Sequence, residues 1–447
     1  MRELSKLYKA CRKGRFDAVR KIVDKFGITA DAARAGGHSA LRAACAVGCF
    51  EIVRWLVTRF GLTAADEDWT GGTYLTIGDL DSDMDWSDVR SYNYFVLLLE
   101  SCGSGNLHIA QWLVAKFNLT AEDARRADNY ALRAACKNGH LETARWLVDR
   151  FELTAADARA DRNSALRFAC GNGHLDVARW LVDTFGLSAP DARDSVFDRF
   201  SALQVSCAAG HLSVAQWLVD TFGLTAVDAR AGDNSALRNA CERGHLDVAR
   251  WLVDTFKLSA DDARADDNSA LRGACANGRR RIARWLVATF ELSADDARAD
   301  DNSALLKSCE NGHLAMAQWL VTKFGLTADD ARAHDNRPLR TVCKNGHLDI
   351  ARWLTATFKL GADDARALNN SALRGACMNG HLRVARWLVA TFGLTVEDAR
   401  DWEDEHDTAL SLACFYKHTE VAVWLTAFFG LTVKDVRDIT DGWSFDF

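Results

Sequence analysis

The chain has 447 residues, of which 49% are hydrophobic and 26% charged, and it contains only 2 prolines. This composition is typical of a folded protein, and the formal net charge of -6 excludes a global basic field that would recruit nucleic acid. No apolar run reaches the roughly 18 residues that a membrane-spanning helix needs. The opening residues, MRELSKLYKACRKGRF, lack the apolar stretch of a signal peptide, so we expect no secretory leader.

A block of the form (Arg/Gln)-Trp-Leu-(Val/Thr) recurs about every 34 residues along most of the chain. Lys21 takes the tryptophan position in the first copy, so residues 1–438 hold about twelve copies. A period of this length predicts a solenoid of stacked helical units. The block tryptophans are Trp55, Trp112, Trp146, Trp180, Trp217, Trp251, Trp285, Trp319, Trp353, Trp387 and Trp424.

The copy at 129–159 shows the predicted helices in chain order. Leu132 and Cys136 follow helical spacing on one face, and the glycine of KNGH, Gly139, ends that helix. The segment from Leu141 to Phe151 then forms a second helix with a wide apolar face. Each copy therefore predicts two antiparallel helices, and runs of β-branched residues typical of buried parallel strands are absent.

A short third turn follows the second helix. Thr154, with Asp157 three residues later, has the spacing of an N-cap, with an acid in the first turn. We expect the same turn in the other copies, which makes the fold class all-α. The equivalent pairs are Ser259 with Asp262, Ser293 with Asp296, Thr327 with Asp330, and Thr395 with Asp398.

Twelve of the thirteen cysteines lie ten residues before a block position, and only Cys49 falls outside the series. Neighbouring copies are separated by about 8–10 Å, which exceeds disulfide reach. We therefore interpret these cysteines as small buried residues and expect an intracellular, cytoplasmic location, with the nucleus as an alternative.

The Gly-His histidines also recur once per copy. The metal-site alternative has little support, because each histidine starts a helix and no cysteine lies near it at finger spacing. We predict that these side chains bond the adjacent loop. They are His140, His174, His211, His245, His313, His347, His381 and His418.

The pattern SALRxACxNGHLDVARWLV resembles the ankyrin repeat, whose consensus has a Thr-Pro-Leu-His-x-Ala-Ala block, then Gly-His, then an apolar second helix. Here Ala replaces the Pro except at Pro338, Arg replaces the His, and Cys replaces the second Ala. The segment F-x-L-T-A-D-D-A-R stands where ankyrin proteins carry a β-hairpin, so we expect short helical turns there. The resemblance implies an ankyrin-type solenoid that binds partners along a concave groove lined by first helices and loop tips.

One candidate feature of this groove is an arginine thirteen residues before most block positions. One guanidinium per repeat would suit carboxylates or phosphates of a partner. The alternative is pairing within the fold, with loop acids such as Asp128, Asp233, Asp267, Asp301 and Asp335. The series comprises Arg42, Arg133, Arg167, Arg238, Arg272, Arg340 and Arg374.

A second candidate feature is the variability of two positions, one and four residues after that arginine position. The scaffold positions are nearly identical between copies while these two change, as expected of residues that face solvent or a partner. The candidate contacts at these positions are Lys137, Phe168, Asn239, Glu242, Lys307, Glu310, Lys344 and Met378.

Insertions and the chain end depart from the period. The largest insertion, near 66–92, is acidic and offers Trp69 and Trp86 as partner anchors. Its alternating aspartates suggest a calcium loop, but the required Gly and Glu are missing. We expect residues 439–447 to form a tail or a cap on the last repeat.

The polar residues show no nucleophile with a base, no phosphate-binding Gly loop and no metal cluster. We therefore expect no catalytic residues, no cofactor and no metal. The sequence predicts a monomeric, non-enzymatic scaffold that binds one or more proteins through the groove and the inter-repeat loop edge. A nucleic-acid-binding protein and a purely structural spacer are the alternatives, and the acidic total charge opposes the former.

Overall fold

The structure is a computed structural model that describes residues 2–35, 39–63, 93–194, 200–400 and 408–431. Within these ranges all regular elements are helices, which confirms the all-α expectation. The chain divides into two compact units, Met1–Asp228 and Ala229–Phe447, each built from the same helical repeat.

The first unit contains α1 to α15 and the beginning of α16 (Ala226–Arg243). Its helices are α1 (Arg2–Arg12), α2 (Phe16–Phe26), α3 (Ala30–Ala35), α4 (Ser39–Val47), α5 (Phe50–Arg59), α6 (Asn93–Gly103), α7 (Leu107–Phe117), α8 (Ala121–Lys137), α9 (Leu141–Phe151), α10 (Ala155–Ala158), α11 (Ala160–Gly171), α12 (Leu175–Phe185), α13 (Ala189–Arg193), α14 (Ala202–Ala209) and α15 (Leu212–Phe222).

The second unit contains the rest of α16 and twelve further helices in the described ranges. These are α17 (Leu246–Phe256), α18 (Ala260–Ala276), α19 (Arg280–Phe290), α20 (Ala294–Glu310), α21 (Leu314–Phe324), α22 (Ala328–Lys344), α23 (Leu348–Phe358), α24 (Ala362–Met378), α25 (Leu382–Phe392), α26 (Val396–Arg400), α27 (Ala409–Phe415) and α28 (Thr419–Phe429).

The second helix of each repeat packs an apolar face into the core, as α9 shows. Ala144 and Leu147 are fully buried, and the Phe151 ring packs edge-on against Trp146 with centroids 6.1 Å apart. Burying a leucine side chain contributes about 1.5–3 kcal/mol, so an alanine at Leu147 would cost more than most surface changes. The same Trp–Phe pair recurs in the following repeats.

The first helix of each repeat lies between its neighbours and buries small residues. In α11, Leu166, Ala169 and Cys170 are fully buried, because alanine and cysteine allow neighbouring helices to approach closely. Burial raises the pKa of the cysteine thiols, for example that of Cys45 to about 12. These cysteines are free thiols, as the sequence predicted.

Most short helices after a second helix begin with the predicted N-cap, as α10 shows. The Thr154 backbone N–H donates to the Asp157 carboxylate over 2.7 Å, and the Thr154 hydroxyl donates over 3.0 Å. Together with the return bond from the Asp157 N–H to the threonine oxygen, this is a capping box. The short helical turns expected in place of β-hairpins are therefore present.

None of the helices in the described ranges combines the length and apolar character needed to cross a bilayer. Two sequence predictions fall on other residues: the insertion near 66–92 with Trp69 and Trp86, and the tail 439–447. These lie wholly or mainly outside the described residues, and they remain predictions.

Candidate functional site

The arginine series of the first helices is bound within the fold. The Arg133 guanidinium donates to the Asp161 carboxylate of the next repeat, to Ser164 Oγ over 3.2 Å and to the Ala127 carbonyl over 3.1 Å. Arg133 is only 4% exposed. The Arg133 side chain therefore links two successive repeats.

The other members of the series make related contacts. Arg238 donates to Asp266, and Arg272 donates to Asp300, in each case across one repeat boundary. Arg42 instead pairs with Glu100 over 2.6 Å. Pairing within the fold was the alternative interpretation, but its acids differ from those suggested by the sequence. The carboxylates that bind Arg238 and Arg272 are those of Asp266 and Asp300, each one residue before the suggested Asp267 and Asp301.

This inter-repeat turn has three successive residues with positive φ. At Asp266, Asp267 and Asn268 the φ values are 53°, 51° and 60°. Asp and Asn tolerate this region better than other non-glycine residues because their short side chains bond locally. The turn directs its carbonyls toward the arginine series, and Arg340 donates to the Asp335 carbonyl over 2.7 Å and the His334 carbonyl over 3.0 Å.

A second arginine series, at the end of each short helix, was not predicted as a link between repeats. Arg230 donates through Nε and Nη2 to both carboxylate oxygens of Asp262, over 2.7 Å and 3.0 Å. Asp262 also accepts from the Ser259 N–H over 2.7 Å. One carboxylate therefore caps its own helix and holds the preceding repeat. We call these pairs the capping bridges.

The capping bridges recur through both units. They join Arg125 to Asp157, Arg159 to Asp191, Arg193 to Asp228, Arg230 to Asp262, Arg264 to Asp296, Arg298 to Asp330, Arg332 to Asp364, and Arg366 to Asp398.

The constant number of residues between the two partners is the sequence pattern that indicates these bridges. Most partners lie 32 residues apart, and Arg193 and Asp228 lie 35 apart because a three-residue insertion intervenes.

The hydrogen bonds from Arg230 lower the pKa of Asp262 to about 2, against the opposing effect of its burial. The aspartates are thus charged at neutral pH, and charge-assisted bidentate bonds of this kind are stronger than neutral ones.

The Gly-His pairs form a further recurring contact between repeats. Gly346 has φ of +81°, and a Cβ there would lie 2.6 Å from Nδ1 of His381 in the next repeat. The His347 ring donates from Nε2 to the Glu310 carbonyl over 3.0 Å. This confirms the predicted loop-bonding role for His347. In the described ranges, no cluster of three or more His, Cys, Asp or Glu side chains is arranged to hold a metal.

The two variable positions of the first helices are brought together between successive repeats. A Cβ on Gly273 would lie 3.1 Å from Cβ of Glu242, and one on Gly375 would lie 3.1 Å from Cβ of Lys344. In the first unit the Lys137 ammonium lies 5.5 Å from the Phe168 ring centroid. The last variable position of one repeat thus neighbours the first of the next. Within each unit we call these residues the variable face.

Exposure differs along the variable face. Glu242 and Lys344 are exposed, whereas Phe168, Asn239 and Met378 are half-buried. The other members include Lys307 and Glu310, which are half-buried and form an ion pair within one helix at 2.8 Å. The face therefore mixes apolar groups with single charges.

The arginine series differs from this face in accessibility. Arg133 and Arg167 are buried, and Arg238, Arg272, Arg340 and Arg374 are half-buried. Arg167 donates to the Arg162 carbonyl over 2.9 Å, and Arg374 donates to the Leu368 carbonyl over 3.4 Å.

A family model of three consecutive ankyrin repeats matches residues 97–194, 203–296, 271–364 and 341–435, which is more than half of the chain. The chain belongs to the ankyrin-repeat family. No curated protein matches it. Ankyrin repeats are in general protein-interaction modules, which agrees with the class of function predicted from the period.

In these ankyrin repeats the left-handed turn and the capped short helix occupy the place of the family's β-hairpin. The capping bridges follow from that exchange, because a helix with Asp at its third position and Arg at its end can pair with copies of itself on either side. The recurring polar residues of the loop edge are thereby engaged within the scaffold.

Proposed function

We propose that the protein is a non-enzymatic adaptor that binds partner proteins through the variable face of its ankyrin repeats. The supporting observation is the close approach of variable positions from successive repeats, such as Glu242 beside Gly273 and Lys344 beside Gly375. Side chains that differ from copy to copy thus lie next to one another, and each unit carries its own pattern.

The chemistry of this face suits a protein partner. Phe168 and Met378 supply apolar contacts, and Gly273 and Gly375 pack closely against Glu242 and Lys344. Aromatic and methionine side chains flanked by single charges are typical of protein interfaces. The arginine series is outside the proposed contact surface, because its guanidiniums bind carbonyls and carboxylates of the fold.

Free cysteines, which are buried in all but the last of the described repeats, favour a reducing, intracellular environment for this adaptor. A single chain carries all the elements of the proposed face. We therefore propose that it acts as a monomer.

The test uses two single charge reversals in one repeat. Lys344 and Arg352 are both exposed cations, but Lys344 ends the first helix α22 whereas Arg352 lies on the second helix α23. Proteins captured from cells by the full chain are quantified for wild type, Lys344→Glu and Arg352→Glu. We expect Lys344→Glu to reduce capture of at least one partner by about tenfold or more, as for an interface hot spot.

Thermal unfolding of both variants is the control, and we expect the midpoints to match wild type. Equal capture by Lys344→Glu and wild type, with Arg352→Glu defective instead, would place recognition on the second helices. Capture of RNA or DNA with a steep salt dependence would favour the nucleic-acid alternative.

A further inference from the structure

The repeat formed by α1 and α2 differs from the others in charge. Residues 1–30 contain nine Lys and Arg and three acids, whereas the other 46 cations of the chain are outnumbered by 58 acids. All nine cations are exposed. They are Arg2, Lys6, Lys9, Arg12, Lys13, Arg15, Arg20, Lys21 and Lys25.

Four of these cations form one line along α1. Arg2, Lys6, Lys9 and Lys13 have the spacing i, i+4, i+7 and i+11, which places them on one helix face over about 16 Å. The Lys13 N–H still donates to the Lys9 carbonyl over 3.2 Å, so the helical path extends to it. We call these four residues the basic stripe. The opposite face of α1 is buried in the fold.

Three cations of this repeat stand where other repeats carry buried or half-buried residues. Lys6 occupies the position of Ala236 and Ala270, which are fully or almost fully buried in their repeats. Lys21 stands where later repeats carry the block tryptophan, and Arg15 stands where they carry the Gly-His histidine. Each of these three changes introduces a cation that is exposed in the structure.

The cations of this repeat are also used differently from the arginines of the capping bridges. In the part of the chain that the structure describes, no ion pair includes Lys6, Lys9 or Lys13. The carboxylate of α1, Glu3, lies about a quarter-turn away from the stripe. A soluble surface usually mixes positive and negative side chains, so solubility alone does not explain a row of cations on one helix face.

An aromatic ring adjoins the stripe. Phe26 at the end of α2 is 37% exposed, and the Lys6 and Lys25 ammoniums lie 5.0 Å and 5.6 Å from its centroid. Cations over the ring stabilise it in place and leave its edge for an apolar side chain. The ring is a poor platform for base stacking, because the ammoniums already lie over it.

We propose that the basic stripe and Phe26 form a docking site for a short acidic polypeptide segment. Charge complementarity requires an anionic ligand. The patch covers about 16 Å, which suits a short segment, whereas the excess of acid in the chain beyond residue 63 opposes a long nucleic acid. Lys9 holds the same position in its repeat as Asn239 of the variable face, so the proposal extends that face to the first repeat, but it rests on the charges of α1 and not on capture of partners by Lys344.

The probe is a synthetic, alanine-based helical peptide with glutamates at i, i+4, i+7 and i+11, tested against the full chain by fluorescence anisotropy at low salt. The test variant reverses three charges, Lys6→Glu, Lys9→Glu and Lys13→Glu. The control variant reverses three exposed cations on second helices, Lys116→Glu, Arg145→Glu and Arg179→Glu, and so has the same net charge. Circular dichroism verifies that both variants are folded.

We expect the stripe reversal to weaken peptide binding by about tenfold or more, and the control reversal by about twofold or less, since close charge pairs act locally. Equal weakening by both variants, or the absence of peptide binding to wild type, would overturn the proposal. So would tighter binding of a single-stranded oligonucleotide or of phosphatidylserine vesicles than of the peptide. Partner capture by Lys344→Glu tests the adaptor function independently.

Discussion

The loop edge and the variable face of these repeats use polar side chains in opposite ways. At the loop edge, Arg230 and Asp262 are tied into a capping bridge that recurs in nearly the same geometry from repeat to repeat. On the variable face, Glu242 and Lys344 are exposed and their neighbours change with each copy. The difference indicates that repetition of a polar residue in a solenoid marks a scaffold contact, and that departure from repetition marks a place for recognition.

The largest effect on stability is expected where a recurring contact leaves no space for an added side chain. Gly346→Ala would place a Cβ against the His381 ring at a φ of +81°, and we expect a loss of about 3 kcal/mol from left-handed strain and overpacking. Gly325→Ala is the matched control, because its φ is +62° but nothing lies within 4 Å of the added Cβ. The control should lose only about 1 kcal/mol in urea unfolding. Equal losses of stability in the two variants would show that the His381 ring does not obstruct the added Cβ.

Breaking a capping bridge should have the next largest effect. Asp262→Ala removes an N-cap acceptor and the partner of Arg230, so we expect a loss of about 1–2 kcal/mol in urea unfolding. Arg230→Gln leaves the cap in place and removes only a partly exposed cation, so its loss should stay below about 1 kcal/mol. A larger loss for Arg230→Gln would reverse this order.

The same bridge predicts a pH dependence. Because the pKa of Asp262 is lowered from 3.8 to about 2 in the folded chain, its carboxylate stabilises the fold above the ordinary pKa. This stabilisation is lost as the pH falls from about 4 to about 2. The urea midpoint of wild type should therefore fall more steeply over this range than that of Asp262→Ala. Parallel curves would show that the bridge contributes nothing.

A smaller effect is expected at the left-handed residue that ends each second helix. Glu152 occupies this position with φ of 50°, whereas Gly186 occupies it in the next repeat with φ of +58°. Glu152→Gly should stabilise the chain by about 0.5–1 kcal/mol, and Gly186→Glu should destabilise it similarly. Thermal melts of the two variants measure whether each substitution raises or lowers the stability. A destabilised Glu152→Gly would show that its side chain outweighs the backbone strain.

The smallest effect on stability is expected on the variable face. Lys344 is exposed and makes no ion pair among the described residues, so Lys344→Glu should change the free energy of unfolding by less than about 0.5 kcal/mol. Chemical denaturation beside Arg352→Glu measures this. A loss comparable to that of Asp262→Ala would place Lys344 in the scaffold.

The sequence predicted the repeat, its helix pairs and its N-caps, because these depend on local spacing and on residues such as Thr154 and Asp157. The link between Arg230 and Asp262 was not predicted, because it depends on how side chains of neighbouring repeats meet. The left-handed turn at Asp266–Asn268 was also missed, since its Ala- and Asp-rich sequence is compatible with a helix start. Exposure on the variable face depends on the stacking geometry, which spacing alone does not define.

The most direct test compares one variant from each region in two assays. Asp262→Ala and Lys344→Glu are measured for thermal midpoint and for affinity toward a partner captured by the wild-type chain. The account predicts that Asp262→Ala lowers the midpoint with affinity within about twofold of wild type, and that Lys344→Glu keeps the midpoint but loses about tenfold in affinity. Loss of affinity in Asp262→Ala with full binding by Lys344→Glu would contradict the division between recurring scaffold and variable face.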